Sequence, residues 1–282
     1  IILTITESSL ANSSLVSNNH FDKKIERVAK SKRIVTLTSL TADIVSILNN
    51  SYLIGIPGSR LTQKNDKLLN KEVISKGRTP PKLEKIVSLK PDLVIGSKSF
   101  HGKQLKKLSS LGIRSEGVEV KNWSDLINLI DNLSYLTGTK STILEKDLNN
   151  CSLINVKKKN NNNVLVLVSS KPLLAPNSES WAGSLLDRFN INNSTQALIS
   201  KSEFKGYVNL SPEWLISNQP KTIIIVETGP NSGKSFTDLP YWRKLNAVKE
   251  NNIIYMDYYG FINPGSIDSI NKTCLKLSKI NN

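Results

Sequence analysis

Two glutamates occupy matching places in two stretches of the chain. Glu84 stands in LEKIVSLKPDLVI (Leu83 to Ile95) and Glu213 in PEWLISNQPKTII (Pro212 to Ile224). Each lies near a helix start, seven residues ahead of a proline, and each proline is followed by an apolar strand. A carboxylate in the first helical turn is favourable because it meets the positive end of the helix dipole. That accounts for one glutamate and can account for both. It does not demand the same offset twice, so a paired role stays open.

Other constellations invite catalytic readings. Gly229 to Ser235 (GPNSGKS) follows a strand and resembles a phosphate loop, but that loop needs four residues between its glycines. Here three separate Gly229 from Gly233, and Leu239-Pro240-Tyr241 interrupts the helix that should present its amides to phosphate. The loop remains a polar strand-end segment well placed to touch a ligand. His20 and His101 are the two histidines, which excludes a histidine-rich metal site. A Ser-His-Asp arrangement would have to use His101, and no Gly-x-Ser-x-Gly elbow is present. His101 otherwise reads as a partly exposed loop or helix-start residue. Cys151 and Cys274 are too few for a disulfide framework and too far apart in sequence for a zinc pair. Cys151 shares an apolar helical stripe with Leu144, Leu148 and Ile154, which suits core packing. Export would permit a bridge between the two cysteines, and the sequence leaves that open.

The elements that must position these residues alternate. Arg33 to Thr38 reads as a buried strand leading through Ser39 into a helix. Leu53 to Ile56, Leu93 to Ile95 and Ile113 to Val120 read as further strands, with helices at Leu83 to Leu89 and His101 to Ser110 between them. A helix with Leu126, Leu129, Ile130, Leu133 and Leu136 closes at Gly138. Thr139 can cap the next, which runs to about Val156; about 18 residues span roughly 27 Å. The second half repeats the outline: strands at Val164 to Val168, Thr222 to Val226 and Ile253 to Met256, helices at Trp181 to Phe189, from Ser211-Pro212, at Trp242 to Lys249 and from Ile267. The expected fold is α/β, two lobes with mainly parallel sheets joined by a single long helix. The expected divisions are a tail at 1–32, an N-terminal lobe at 33–137, a connecting helix at 138–160 and a C-terminal lobe at 161–282.

The 282 residues are enough for two modest cores, with 38% hydrophobic and 22% charged residues. No apolar run approaches the ~20 residues that span a bilayer. Ile1, Ile2, Leu3 and Ile5, followed by Ser9-Leu10-Ala11, read as the remnant of an export signal, or else as a weakly packed tail. No cysteine stands beside the expected cut at Asn12 to support a lipid anchor there. The net charge of +15 raises nucleic acid as a partner. The lysines are scattered and no basic stripe is interleaved with aromatics, so a Lys/Asn/Ile-rich composition explains the charge and no nucleic acid is expected.

In open α/β sheets ligands bind at the carboxyl ends of the strands. The first lobe offers Ser39, Ser59, Arg60, Arg78 and the run Ser97 to His101, which includes Phe100. The second offers Ser169, Trp181, Lys205, Tyr207, the loop Thr228 to Phe236, and Tyr258 and Tyr259. Aromatics and cations together suit a large, flat or anionic ligand.

The chain resembles the bacterial substrate-binding proteins for vitamin B12 and ferric siderophores (the helical-backbone, class III type) from about Arg33 to the C-terminus. The resemblance rests on the order and spacing of RIVTLTSLTADIVSIL, LEKIVSLKPDLVIGS, LSSLGI, YWRKLNAVKENNIIYMD and NPGSIDSI. It implies two α/β lobes joined by one long helix, a ligand held between them, and delivery to the membrane permease of an ATP-driven importer. It further implies that Glu84 and Glu213 meet arginines of that permease, one from each lobe. The segment before Glu84, usually rich in aromatics, reads KGRTPPKLE with Arg78 in it, and a loop that often carries Tyr has Ser59-Arg60. These departures favour an anionic ferric chelate over a corrinoid; Trp181, Tyr258 and Tyr259 would also suit haem.

The expectation is an exported, periplasmic, non-enzymatic binding protein. It acts as a monomer and takes a metal chelate on Ser39, Arg60, Arg78, Phe100, Trp181, Tyr207, Tyr258 and Tyr259. No resident cofactor or protein metal ligands are expected, because the chelator carries the metal. The reading from another class is an α/β enzyme that uses the 229–235 loop with a nucleotide.

Overall fold

The computed structural model describes residues 30–76, 79–151, 163–199, 204–229 and 231–280. The first lobe is built on five parallel strands: β1 (Ile34–Thr36), β2 (Leu53–Gly58), β3 (Glu72–Lys76), β4 (Leu93–Ser97) and β5 (Ser115–Val118), in the order β3-β2-β1-β4-β5. All three residues of β1 are buried, as a central parallel strand covered on both faces requires. Five helices accompany them: α1 (Ser39–Asn49), α2 (Arg60–Gln63), α3 (Leu83–Ser88), α4 (Lys98–Ser110) and α5 (Trp123–Thr137). Strand β3 gave no sequence signal because charged residues bound it and only Ile74 and Ser75 are buried, the pattern of a sheet edge.

Helix α5 follows its pattern closely. Asn122 caps its start by accepting from Asp125 N–H, and Gly138 ends it at φ 68°. Thr139 N–H then donates to Ser134 O at 3.0 Å, so Thr139 belongs to the close of α5 and does not cap the next helix. That helix, α6 (Thr142–Asp147), has six residues; Leu148 leaves it and a 3₁₀ turn covers Asn149–Cys151. The rest of the expected connector lies outside the described residues, as do the expected export remnant and Arg78.

The second lobe holds β6 (Asn163–Leu167), β7 (Ser169–Ser170), β8 (Leu173–Pro176), β9 (Asn192–Asn193), β10 (Tyr207–Asn209), β11 (Thr222–Glu227) and β12 (Ile253–Asp257). A parallel sheet runs β12-β11-β6-β9, and β10-β8-β7 form a small antiparallel sheet that the sequence did not suggest. The helices are α7 (Trp181–Arg188), α8 (Pro212–Asn218), α9 (Lys234–Thr237), α10 (Asn246–Lys249), α11 (Tyr258–Phe261) and α12 (Ile267–Ile280). The single helix expected over Trp242 to Lys249 is broken: Leu245 takes an extended ψ of 135° between a 3₁₀ turn and α10.

The internal repeat is architectural. The order β9-β6-β11-β12 reproduces β2-β1-β4-β5, so α3 and α8 each feed the strand beside the central one. Both helices end alike: Lys90 (φ 49°) and Gln219 (φ 40°) turn left-handed directly before Pro91 and Pro220.

One hydrophobic core runs through both lobes. Ile34, Leu53 and Leu93 join Val166, Ile224 and Leu185 through α1, α5, α6 and α12. Burying each such side chain contributes about 1.5–3 kcal/mol, so shared packing holds the lobes together. Cys151 and Cys274 form a disulfide, with Cα atoms 5.0 Å apart. The core role read for Cys151 is therefore joined to a covalent one, tying the 3₁₀ turn after α6 to α12.

Candidate functional site

Parallel strands place all their carboxyl ends at one edge of each lobe, and the helices that follow begin there. In the first lobe Ser39 opens α1 after β1. Ser59 caps α2 after β2, its hydroxyl accepting from Thr62 N–H while Thr62 Oγ1 accepts from Ser59 N–H. The Ser39 and Ser59 hydroxyls are hydrogen-bonded at 2.7 Å. Arg60, next to Ser59, is exposed and reaches across to the second lobe, its guanidinium carbon 5.6 Å from the Tyr259 ring centroid.

Tyr258 and Tyr259 follow β12 and meet edge to face at 5.3 Å. Their turn depends on Gly260, at φ 89°, where a Cβ would meet Ser269 O at 2.1 Å. Tyr207 begins β10. Burial first, and the neighbouring Tyr258 second, push its phenol well above the usual tyrosine range. It is therefore a neutral hydrogen-bonding group and not a phenolate. Ser39, Arg60, Tyr259, Tyr258 and Tyr207 thus form one band from lobe to lobe.

A cavity of ≈ 480 Å³ opens at Tyr207, walled by Asn177, Glu179, Leu198, Phe204 and Lys205. Asn177 fixes its walls, N–H donating to Gly206 O and Nδ2 donating to Leu198 O, both at 2.9 Å.

Of the remaining expected ligand residues, two are described. Trp181 is 3% exposed, its Nε1–H donates to Gly260 O at 2.8 Å, and its ring stacks on Trp123 at 6.4 Å. Packed in the core, it offers no surface to a ligand; it supports the turn that carries the tyrosines. Phe100 is 84% exposed in the first turn of α4, at the strand-end edge, with no contact to the band among the described ring contacts. Arg78 falls outside the described residues.

The structure adds two acidic residues that no spacing announced. Asp43 Oδ2 accepts from Ile267 N–H at 2.8 Å, and Oδ1 accepts from Asn65 Nδ2 at 3.2 Å, so a side chain of α1 caps α12. Glu119, just after β5, accepts through Oε1 from the Ser97 hydroxyl at 3.0 Å and from Ser99 N–H at 2.6 Å. Burial raises the Glu119 carboxyl, but the bonds from Ser99 and Ser97 and the charge of Lys121 outweigh it and leave the group below the usual range. His101 is a partly exposed residue at the start of α4, as one of its two readings had it; its Nδ1 accepts from Ser97 N–H at 3.1 Å, and burial lowers its pKa, so it is neutral at pH 7.

The described part of the 229–235 loop does not favour a phosphate cradle. Gly229 N–H is spent on the Ser232 hydroxyl at 2.9 Å, and α9 behind it has four residues. Among the described residues no group of three or more His, Cys, Asp or Glu side chains could hold a metal ion, and no helix is long and apolar enough to cross a membrane. Glu84 and Glu213 are exposed in the first turns of α3 and α8. Glu213's own N–H and the Ser211 hydroxyl hold its carboxyl below the usual range.

The sequence profile of a family described as periplasmic binding proteins matches residues 34–259. The chain belongs to the periplasmic binding protein family. Two relatives of Bacillus subtilis (strain 168) match most of this binding protein. YhfQ, a lipoprotein named for ABC transporter substrate binding, is 25% identical over 243 residues, 77% of this chain and 74% of YhfQ. The Fe(3+)-citrate-binding protein YfmC is 28% identical over 260 residues, 84% of this chain and 80% of YfmC. The fold is similar to that of the periplasmic vitamin B12 binding protein BtuF of Vibrio cholerae, with a TM-score of 0.66 and 19% identity over 90% of this chain and 99% of BtuF. Membership of this family of binding proteins implies an extracytoplasmic location.

Proposed function

We propose that this protein is the monomeric, periplasmic substrate-binding component of an ABC importer and captures a ferric chelate between its lobes. The observation that carries the reading is the band of Arg60, Tyr259, Tyr258 and Tyr207, which sets a cation and neutral phenols along one path between the two strand-end edges. A cation suits the carboxylate or hydroxamate oxygens of a chelate, and the phenols supply hydrogen bonds and apolar ring faces without competing for the metal. The similarity to YfmC supports iron among the possible metals. Glu84 and Glu213, one per lobe in equivalent helices, are the proposed contacts to the permease; charges of that kind serve orientation and on-rate more than affinity.

Titration with ferric citrate, a neutral ferric trihydroxamate, cyanocobalamin and haemin, followed by tryptophan fluorescence, tests the reading. Saturable binding of a ferric chelate, at least tenfold tighter than the corrinoid or haemin, is expected. Preference for either of those, or binding of a nucleotide with Mg²⁺, overturns it.

A further inference from the structure

The cavity at Tyr207 is larger than a hydrogen-bonding band needs. Its ≈ 480 Å³ falls within the roughly 300–1,000 Å³ of small-molecule sites. Every wall comes from the second lobe, and one buried residue ties the walls together. Asn177 N–H donates to Gly206 O and its Nδ2 donates to Leu198 O, both at 2.9 Å, while its Oδ1 accepts from Glu179 N–H at 3.0 Å. The wall segments are therefore fixed before a ligand arrives. Tyr207 lies where cavity and band meet. Its phenol is neutral and mostly buried, and among the described residues no hydrogen bond ends on its hydroxyl. Leaving a buried hydroxyl unbonded is costly, and a ligand atom can supply the missing partner. Leu198, Ile199 and Phe204 give the cavity an apolar side, the last two exposed. Glu179 and Lys205 are the charged residues of the lining, one of each sign, so the wall carries no net charge.

We propose that this cavity is a side pocket for an uncharged aryl or acyl arm of the chelate, whose iron-binding part lies on the band and whose arm enters beside Tyr207. The inference narrows the ferric-chelate reading and rests on it. Citrate is all carboxyl and hydroxyl, and would leave Leu198, Ile199 and Phe204 uncovered. An aryl or acyl arm covers them, and exposed apolar side chains around a concave site are what such an arm buries. A carbonyl or hydroxyl on the arm gives the Tyr207 hydroxyl its partner. The opposite charges of Glu179 and Lys205 give an anionic arm no advantage.

Two neutral ferric complexes of one linear trihydroxamate, acylated at its terminal amine with an acetyl or a benzoyl group, differ in the arm alone. Calorimetric titration of the full chain should show the benzoyl complex binding about tenfold or more tightly, as burial of an aryl ring requires. Ala197 lines the cavity, is exposed, and makes none of the Asn177 bonds. Ala197→Trp, which fills the space, should bring the two complexes within about twofold, and Phe204→Ala, which removes apolar wall, should cut the benzoyl advantage at least about threefold. Ile143→Ala, at an exposed apolar residue of α6, should keep the wild-type ratio. Thermal midpoints confirm that each variant is folded at the titration temperature. Equal affinity of wild type for the two complexes, or a benzoyl advantage that survives both cavity variants, overturns the pocket and leaves the ferric-chelate reading standing. A wild-type protein that binds neither complex overturns that reading, and this inference with it.

Discussion

The guanidinium of Arg60 lies 5.6 Å from the ring centroid of Tyr259, and the two side chains come from different lobes. A contact of this kind contributes about 0.5–1 kcal/mol at an exposed site. The same cation is the group best placed to meet an anionic chelate. Arg60→Ala should weaken ferric citrate about tenfold or more, as expected for losing charge-assisted hydrogen bonds worth ~1.5–3 kcal/mol, and Tyr259→Phe should change it less than about threefold. Fluorescence titration measures both.

The glutamates proposed to dock on the permease should separate transport from binding. Both are exposed, each in the first turn of its helix. Glu84→Ala combined with Glu213→Ala should abolish stimulation of the importer's ATPase while leaving chelate affinity within about twofold. Reconstituted transporter in vesicles, assayed beside a titration of the free protein, gives the two readouts. Loss of chelate affinity would place the pair in the fold or the cleft.

Asp43 should make a pH-dependent contribution to stability. Burial, the largest influence, raises its pKa above 3.8 despite the opposing hydrogen bond from Ile267 N–H; Asp268 and Asp147 raise it further and Lys67 lowers it. A carboxyl whose folded pKa is raised favours folding most below its unfolded value, and that contribution is lost as the pH rises through the folded value. Asp43→Asn, which does not titrate, should therefore gain stability relative to wild type as the pH rises from about 3.5 to neutrality. Asp43→Ala, which leaves Ile267 N–H and Asn65 without their acceptor, should cost about 1–2 kcal/mol at pH 7. Urea unfolding across that pH range tests both statements.

The Cys151–Cys274 disulfide closes a loop of sequence separation 123 and ties the turn after α6 to α12. Cys151→Ser with Cys274→Ser should destabilise the protein by about 2–5 kcal/mol. The comparison is of thermal or denaturant midpoints for the double variant and wild type. Chelate affinity should hold at temperatures where the variant remains folded, because both cysteines are buried in the core and offer no surface to a ligand.

Much of the fold was legible in the sequence because buried parallel strands and amphipathic helices carry local periodicity. VLVLV at Val164 to Val168 and the leucines of α5 declare themselves without reference to any partner. The repeat around Glu84 and Glu213 was equally plain, and the left-handed residues before Pro91 and Pro220 give it a common geometry. Strand β3 and the small sheet of β7, β8 and β10 escaped because edge and two- to four-residue strands need little apolar sequence of their own.

The site divides in the same way. Residue types and strand ends pointed to Ser39, Arg60, Tyr207, Tyr258 and Tyr259, since ligand loops follow from sheet topology alone. Packing decided that Trp181 faces inward onto Gly260, that Asp43 of one lobe caps α12, and that Glu119 lies against Ser97 and Ser99. These pairings are separated by 79, 224, and 22 and 20 residues. No local pattern constrains such separations; they are fixed when the strands take their order in the sheets and the helices settle on the shared core. The sequence determined the kind of elements and the chemistry at their ends, and the tertiary structure decided which of those ends meet.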